Sequence, residues 1–114
     1  MSVLVHRGNP VKFEVGSYTN NRLYVGLIDL MGVNYYADVT INLPAISREN
    51  PYDVFLSNDI RDISDWLEEI GAGKATGEVV QNGMGTYAVF HFYPGKLMEL
   101  DPDGFREFDG GSDL

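Results

Sequence analysis

The sequence predicts an α+β domain, in which an antiparallel sheet of about four to six strands packs one main α-helix on one face. Apolar and polar residues alternate over residues 11–15, 23–30 and 35–43, which is the pattern of half-buried strands. Apolar residues recur at spacings of three and four over residues 60–70, which is typical of an amphipathic helix. The segments between the strands are short, and short connections favour antiparallel neighbours.

The first three strands form a meander, and further strands follow the helix. Gly26 interrupts the second strand, which indicates a bulge or a close neighbour at that point. Pro44 ends the third strand because proline has no N–H for a ladder. Residues 52–56 fit either a strand or a buried loop. Residues 77–81 and 86–93 fit a hairpin around Asn82-Gly83, a dipeptide that favours tight turns.

The predicted helix carries one apolar stripe and one acidic face. The stripe consists of Ile60, Ile63, Leu67 and Ile70, and Trp66 widens it. Either Asn58 or Asp59 can serve as the N-cap. Asp62, Asp65, Glu68 and Glu69 fall off the stripe and are expected to face water. The glycines of residues 71–73 end the helix.

The chain has 114 residues, of which 44% are hydrophobic, and this is sufficient for one domain with a real core. We assign residues 1–100 to a single α+β domain, with a short helical turn at residues 96–100. We expect residues 101–114 to form an acidic, mobile C-terminal tail, in which Phe105 and Phe108 are possible anchors.

Several function classes have no support in the sequence. The chain has no cysteine, which excludes disulfides and thiolate chemistry. The sequence has no nucleophile elbow and no phosphate-binding loop, so we predict no catalytic residue and no cofactor. Only His6 and His91 could be imidazole ligands, and we expect His91 to be a packed, hydrogen-bonded side chain rather than part of a metal site. No apolar run reaches the roughly 18 residues of a membrane helix, so we predict a cytoplasmic protein without membrane contact.

The net charge of −9 is concentrated in two segments. Residues 59–69 carry −4, residues 99–114 carry −5, and the rest of the chain is neutral. Direct binding of nucleic acid is disfavoured, because that binding depends on Lys and Arg releasing counterions from phosphates. A surplus of acid instead suits a partner with a basic surface, such as a host nucleic-acid-binding protein.

Two sets of residues are candidates for partner binding. The first set consists of the helix acids Asp59, Asp62, Asp65, Glu68 and Glu69. These acids are either a solvated face or a row of carboxylates that imitates phosphates, since side chains one helical turn apart are about 5–6 Å apart. The second set is Tyr24 and Tyr36, which fall opposite the apolar stripes of their strands. They form either an interaction patch or part of a second core.

Two strings resemble an uncharacterised bacterial family. They are YTNNRLYVGLIDL at residues 18–30 and YADVTINLP at residues 36–44. The similar proteins are short proteins of phages and conjugative elements, mainly in Gram-positive hosts, and the resemblance covers roughly residues 15–100. The family supplies no catalytic residues. The resemblance implies a mobile-element accessory protein, and small acidic proteins in that setting are often inhibitors of host defence of the anti-CRISPR or antirestriction type.

Three functional hypotheses follow. The first is an acidic inhibitor that binds a host nucleic-acid-handling defence complex through the helix acids and the acidic tail. The second is an interaction module that uses the tyrosine-bearing sheet face and has no relation to nucleic acid. The third is a hydrolase, which would be recognised by a pocket holding a carboxylate with a strongly raised pKa.

Overall fold

The computed structural model describes residues 4–31, 34–48 and 50–110. Within these ranges the chain forms eight strands and three helices. The strands are β1 Leu4–His6, β2 Asn9–Ser17, β3 Leu23–Asp29, β4 Asn34–Asp38, β5 Thr40–Ile41, β6 Asp53–Leu56, β7 Gly73–Asn82 and β8 Gly85–Phe92. The helices are α1 Ile63–Glu69, α2 Pro94–Leu100 and α3 Pro102–Gly110.

The first sheet is antiparallel, with the strand order β1-β2-β3-β4. Strand β1 was not predicted from the sequence. It pairs with β2 through a two-residue turn at Arg7 and Gly8, whose φ angles are 51° and 83°. Positive φ at both turn positions matches the twist of a hairpin, and glycine adopts it without steric cost.

The second sheet is also antiparallel and has the order β5-β6-β8-β7. Residues 35–43, which were expected to form one strand, contribute β4 to the first sheet and β5 to the second. The chain changes sheet at Val39, whose N–H donates to the Val25 carbonyl while its own carbonyl accepts from Ser57 N–H. Residues 53–56 are a strand, which decides between the two alternatives left open for that segment.

The main core lies between the inner faces of the two sheets and the three helices. Its largest fully buried side chains are Phe90, Phe92, Leu27, Leu67, Leu97, Val11, Val25 and Val39. A smaller cluster of Leu43, Phe55 and Val89 lies apart from it, with Ile41 and Ile46 packed against it. Arg22 holds the loop over this cluster, because its Nη1 donates to the carbonyls of Leu43 and Ile46 at 2.9 and 2.7 Å.

Helix α1 begins later than the sequence predicted. Its N-cap is Asp62, which has a φ of 64° and makes no side-chain capping bond. Neither Asn58 nor Asp59 is the cap: Asn58 Nδ2 donates to the Thr86 carbonyl in β8, and the N–H of Asp59 is bonded to Ser57 Oγ. The apolar stripe is confirmed at Ile63 and Leu67, which are buried.

Helix α1 covers one edge of each sheet. Trp66 Nε1 donates to the Val5 carbonyl of β1 at 2.8 Å. The Glu68 carboxylate accepts from Ala75 N–H of β7, also at 2.8 Å. Because β1 and β7 are edge strands, these bonds satisfy backbone groups that another chain could otherwise pair with.

The region after Leu100 differs from the expected mobile tail. Residues 102–110 form α3, and Phe105 and Phe108 are buried in the main core against Tyr52. Asp101 links this helix to β2, since one carboxylate oxygen accepts from Val15 N–H and the other from Gly104 N–H. Residues 111–114, which belong to the same prediction, lie outside the described residues.

The α+β class is confirmed. The strands divide between two four-stranded antiparallel sheets instead of one, and three short helices in the described ranges replace one main helix. No helix in the described part of the chain is long and apolar enough to cross a membrane.

Candidate functional site

The acidic segment, residues 59–69, contains the five carboxylates predicted to bind a partner. Asp62 is bonded to Arg7 Nη2 at 2.8 Å, and both side chains are exposed. An exposed pair of this kind contributes at most about 1 kcal/mol to stability. It does, however, place a cation beside the segment, which changes the local net charge from −4 to −3.

Glu68 is exposed, but its carboxylate also makes a hydrogen bond within the domain. Its carboxylate accepts the Ala75 N–H described above, so it is held against the edge of β7. The helical periodicity correctly placed Glu68 off the apolar stripe. It could not show that a strand seven residues later would supply a donor.

The other three acids remain free for a partner. Asp59, Asp65 and Glu69 are exposed, and none of them pairs with a cation among the described residues. Asp65 and Glu69 lie one helical turn apart, a separation of about 5–6 Å between Cβ atoms. Asp59 precedes the helix, so the three carboxylates do not form one continuous helical row.

A shallow groove of about 380 Å³ runs beside the start of α1. It lies between residues 56–65 and Ala88 of β8, and Asp62 and Asp65 line it. Arg61 is the one cationic side chain among its lining residues. Because Asp62 is paired with Arg7, the groove offers mainly the Asp65 carboxylate to a basic side chain of a partner.

The acids after residue 98 are mostly engaged within the chain. Asp101 bonds the two N–H groups of Val15 and Gly104, and Asp109 accepts from the Tyr52 hydroxyl at 3.0 Å. Glu99 pairs with Lys96 and Asp103 pairs with Arg106, both on the surface. Of the described acids in this region, only Glu107 is exposed without such a partner. The acidic tail of the inhibitor hypothesis therefore offers a partner fewer free charges than its sequence predicts.

Tyr24 lies on the outer face of the first sheet, as predicted. Its ring covers Gly26, where a Cβ would collide with it, and its hydroxyl donates to Asp38 on β4 at 2.8 Å. Partial burial raises the pKa of Tyr24, and the bond to Asp38 raises it further. This hydroxyl is therefore already engaged within the sheet.

The prediction that Tyr36 shares this outer face is wrong. Leu27 pairs with Ala37 and Ile28 pairs with Tyr35, so Tyr36 is the extra residue of a β-bulge. A bulge breaks the strict alternation of faces. Tyr36 instead packs against the main core, and its hydroxyl bonds His6 Nδ1 at 2.9 Å. Tyr35 takes the exposed position, with 66% of its surface accessible.

His91 forms a hydrogen-bonded pair that the sequence anticipated only in part. Its Nδ1 lies 2.7 Å from Asp53 Oδ1 on the neighbouring strand β6, which confirms a hydrogen-bonded histidine. About a third of the side chain is exposed, so it is less packed than expected. Within the described ranges, no three histidine or acidic side chains converge as metal ligands.

Comparisons with known proteins give a family but no activity. No curated protein and no solved structure matches the chain. One family model, described as a domain of unknown function (DUF4313), matches residues 12–110. This match covers most of the chain, including both strings that resembled an uncharacterised family. The chain therefore belongs to the DUF4313 family of domains of unknown function.

Proposed function

We propose that the protein is an accessory protein of a phage or conjugative element that inhibits a defence complex of its bacterial host. The target is a nucleic-acid-handling complex of the kind blocked by anti-CRISPR or antirestriction proteins. The protein binds the basic surface of this complex in the host cytoplasm. It binds no nucleic acid itself and catalyses no reaction.

The observation that carries this proposal is the set of three exposed carboxylates, Asp59, Asp65 and Glu69, that pair with no described cation. Basic surfaces that bind phosphates attract such groups over the Debye length, about 8–10 Å at moderate salt. Complementary charge also accelerates the encounter of two proteins and excludes wrong partners.

The remaining two acids of the segment have a smaller part in the proposal. Asp62 already shares its charge with Arg7, and Glu68 is bound to the β7 edge. A continuous phosphate-like row of five carboxylates is therefore not required. Three separate contacts, supported by the groove next to Asp65, are sufficient to engage lysine or arginine side chains.

A pair of triple variants tests the proposal. The first reverses the free acids: Asp59→Lys, Asp65→Lys and Glu69→Lys. The second reverses three exposed acids elsewhere, Glu78→Lys, Asp103→Lys and Glu107→Lys, so both variants change the net charge equally. Each variant is first compared with the wild type by circular dichroism and thermal unfolding, so that a loss of binding is separated from a loss of fold.

The readout has two steps. The tagged protein captures partners from host lysate at low and high salt, and the captured complex is then purified and tested for DNA binding in the presence of the protein. We expect the wild type and the second variant to displace DNA, and the first variant to bind at least tenfold more weakly. Equal displacement by the first variant would refute the role of the acidic segment.

A second candidate function rests on the outer face of the first sheet. Tyr35 is strongly exposed there, and Tyr24 and Ile28 lie half-buried on β3. Met31 is strongly exposed in the turn that follows β3. Tyrosine and methionine are favoured in protein interfaces. In this case Tyr35→Ser should abolish capture of the partner, and added salt should have little effect. Capture that is lost with salt and unaffected by Tyr35→Ser would rule out this candidate.

A further inference from the structure

A second groove, also of about 380 Å³, lies between Arg48, the loop residues Pro51 and Tyr52, and helix α3. It is more enclosed than the groove at α1, and its volume falls in the range of small-molecule sites, about 300–1,000 Å³. Ser17, Asn21, Arg48 and Tyr52 lie on one side, and Glu107 and Asp109 lie on the α3 side.

Arg48 supplies a positive charge that forms no ion pair with a described residue. The side chain is half-buried, its Nε is buried without a hydrogen-bond partner, and no described residue forms an ion pair with it. Burial and the nearby charge of Arg22 lower the pKa of Arg48, and the charge of Asp53 opposes part of this shift. Arg22, by contrast, is bonded to backbone carbonyls. A buried guanidinium nitrogen without a hydrogen-bond partner is costly, so an anion that accepts its hydrogen recovers part of that cost.

The opposite wall carries negative charge. Glu107 is exposed and pairs with no described cation, and the Asp109 carboxylate accepts from the Tyr52 hydroxyl. The rings of Tyr52 and Phe108, with centroids 6.0 Å apart, also line the groove. The groove thus presents a cation, an apolar surface and a carboxylate, which is the arrangement of a site with a few convergent polar groups on an apolar lining.

We propose that this groove binds a small zwitterion, an amino carboxylate whose carboxylate pairs with Arg48 and whose ammonium group pairs with Glu107. The aliphatic part of the ligand lies against Tyr52 and Phe108. The site is separate from the acidic segment, and the inference does not depend on the proposed inhibition. The groove would hold the ligand through both charges at once, so either end alone binds weakly.

Isothermal titration calorimetry with a matched series of probes tests this assignment. The series consists of unbranched ω-amino carboxylates of three to eight carbons, together with hexanoate and hexylamine as single-charge controls. We expect one chain length to bind at least tenfold more tightly than either control. Equal affinity for hexanoate, or no detectable binding of any ω-amino carboxylate at millimolar concentration, would overturn the proposal.

Variants then assign the two ends. Arg48→Met should abolish the preference for the ω-amino carboxylate over hexylamine, and Glu107→Gln should abolish its preference over hexanoate. Glu99→Gln, on the neighbouring helix α2 and outside the groove, is the matched control and should bind as the wild type does. Unchanged binding by Arg48→Met would overturn the assignment.

Thermal unfolding tests the state of Arg48 both without and with the bound probe. Because no described residue forms an ion pair or hydrogen bond with the guanidinium, Arg48→Met should not lower the midpoint in ligand-free buffer, and it should remove the rise that the bound probe causes in the wild type. A midpoint lowered by ten degrees or more would mean that Arg48 has its counterion within the chain, against the proposal. Where Arg48→Met fails to fold, Arg48→Lys serves instead, with retained charge and at least a fivefold loss of affinity expected.

Discussion

Asp101 joins the C-terminal helices to the first sheet, and its replacement by alanine is expected to destabilise the whole domain. Among the described residues, strand β1 pairs with β2 only as far as Val11, so Val15 has no described strand partner on that side. Asp101 supplies one, because its Oδ2 accepts the Val15 N–H at 2.8 Å. Its Oδ1 accepts the Gly104 N–H at 3.2 Å, in the first turn of α3.

The size of the effect follows from these two bonds. A hydrogen bond to a charged acceptor contributes about 1.5–3 kcal/mol, and a lost cap typically costs about 1 kcal/mol. The bond to Gly104 is long, and Asp101 is only partly buried, so the lower halves of these ranges apply. We expect Asp101→Ala to lower the free energy of unfolding by about 2–3 kcal/mol, and Asp101→Asn by about half as much, since the amide keeps one acceptor.

Urea denaturation followed by the fluorescence of Trp66, the only tryptophan, measures this change. Asp103→Ala is the control, because Asp103 is exposed in the same helix and pairs only with Arg106. It should change the free energy of unfolding by no more than about 0.5–1 kcal/mol. A value for Asp101→Ala within about 0.5 kcal/mol of the wild type would refute the reasoning that the β2 edge depends on this carboxylate.

Three further substitutions test other contacts. Glu68→Ala should lower the free energy of unfolding by about 1–3 kcal/mol and speed hydrogen exchange at the Ala75 amide, which loses its acceptor. Unchanged exchange would contradict the hydrogen bond between Glu68 and the edge of β7. Gly26→Ala should lower the free energy of unfolding in urea by at least about 1 kcal/mol, because the added methyl group collides with the Tyr24 ring. An unchanged free energy of unfolding would exclude that position of the ring. Burial lowers the pKa of His6, so the folded state favours the neutral ring, while the unfolded chain protonates near about 6.5. The midpoint should therefore fall as the pH drops below that value, and His6→Asn should reduce this slope; an identical slope would exclude His6 as its source.

The sequence predicted the class of most elements but not their partners. Alternation identified β2 and β3 because each has one buried face. It failed at Tyr36, since one extra residue in a bulge breaks the alternation of faces between Tyr35 and Ala37, and no local pattern announces the insertion. The change from the first sheet to the second at Val39 was also missed. Apolar and polar residues alternate without interruption from 35 to 43, so the sequence pattern does not mark where one strand ends and the next begins.

Helix α3 was missed for a different reason. Residues 101–110 contain acids and two glycines, which are typical of a mobile end. The decisive signal is the pair Phe105 and Phe108, three residues apart and therefore on one helical face. Two phenylalanines buried on Tyr52 stabilise a short helix that propensity alone does not favour.

The sequence identified the acidic residues of the candidate site, but it did not show which of them are already bonded within the chain. Arg7 and Asp62 are 55 positions apart, and Asp101 and Val15 are 86 apart, so the sequence could not show that these acids are already engaged. A count of carboxylates therefore overstates what a partner can reach. Of the five acids in the acidic segment, three remain free.

This difference decides how the inhibitor hypothesis must be tested. Reversing every acid of the acidic segment would include Glu68→Lys, which removes the acceptor of Ala75 N–H and places a cation at the edge of β7. An edge strand with unpaired backbone groups favours aggregation. Loss of binding in such a variant would then have two causes that no binding assay separates. Reversing only Asp59, Asp65 and Glu69 leaves the edge intact, so a loss of binding with unchanged unfolding is attributable to the charge that the partner recognises.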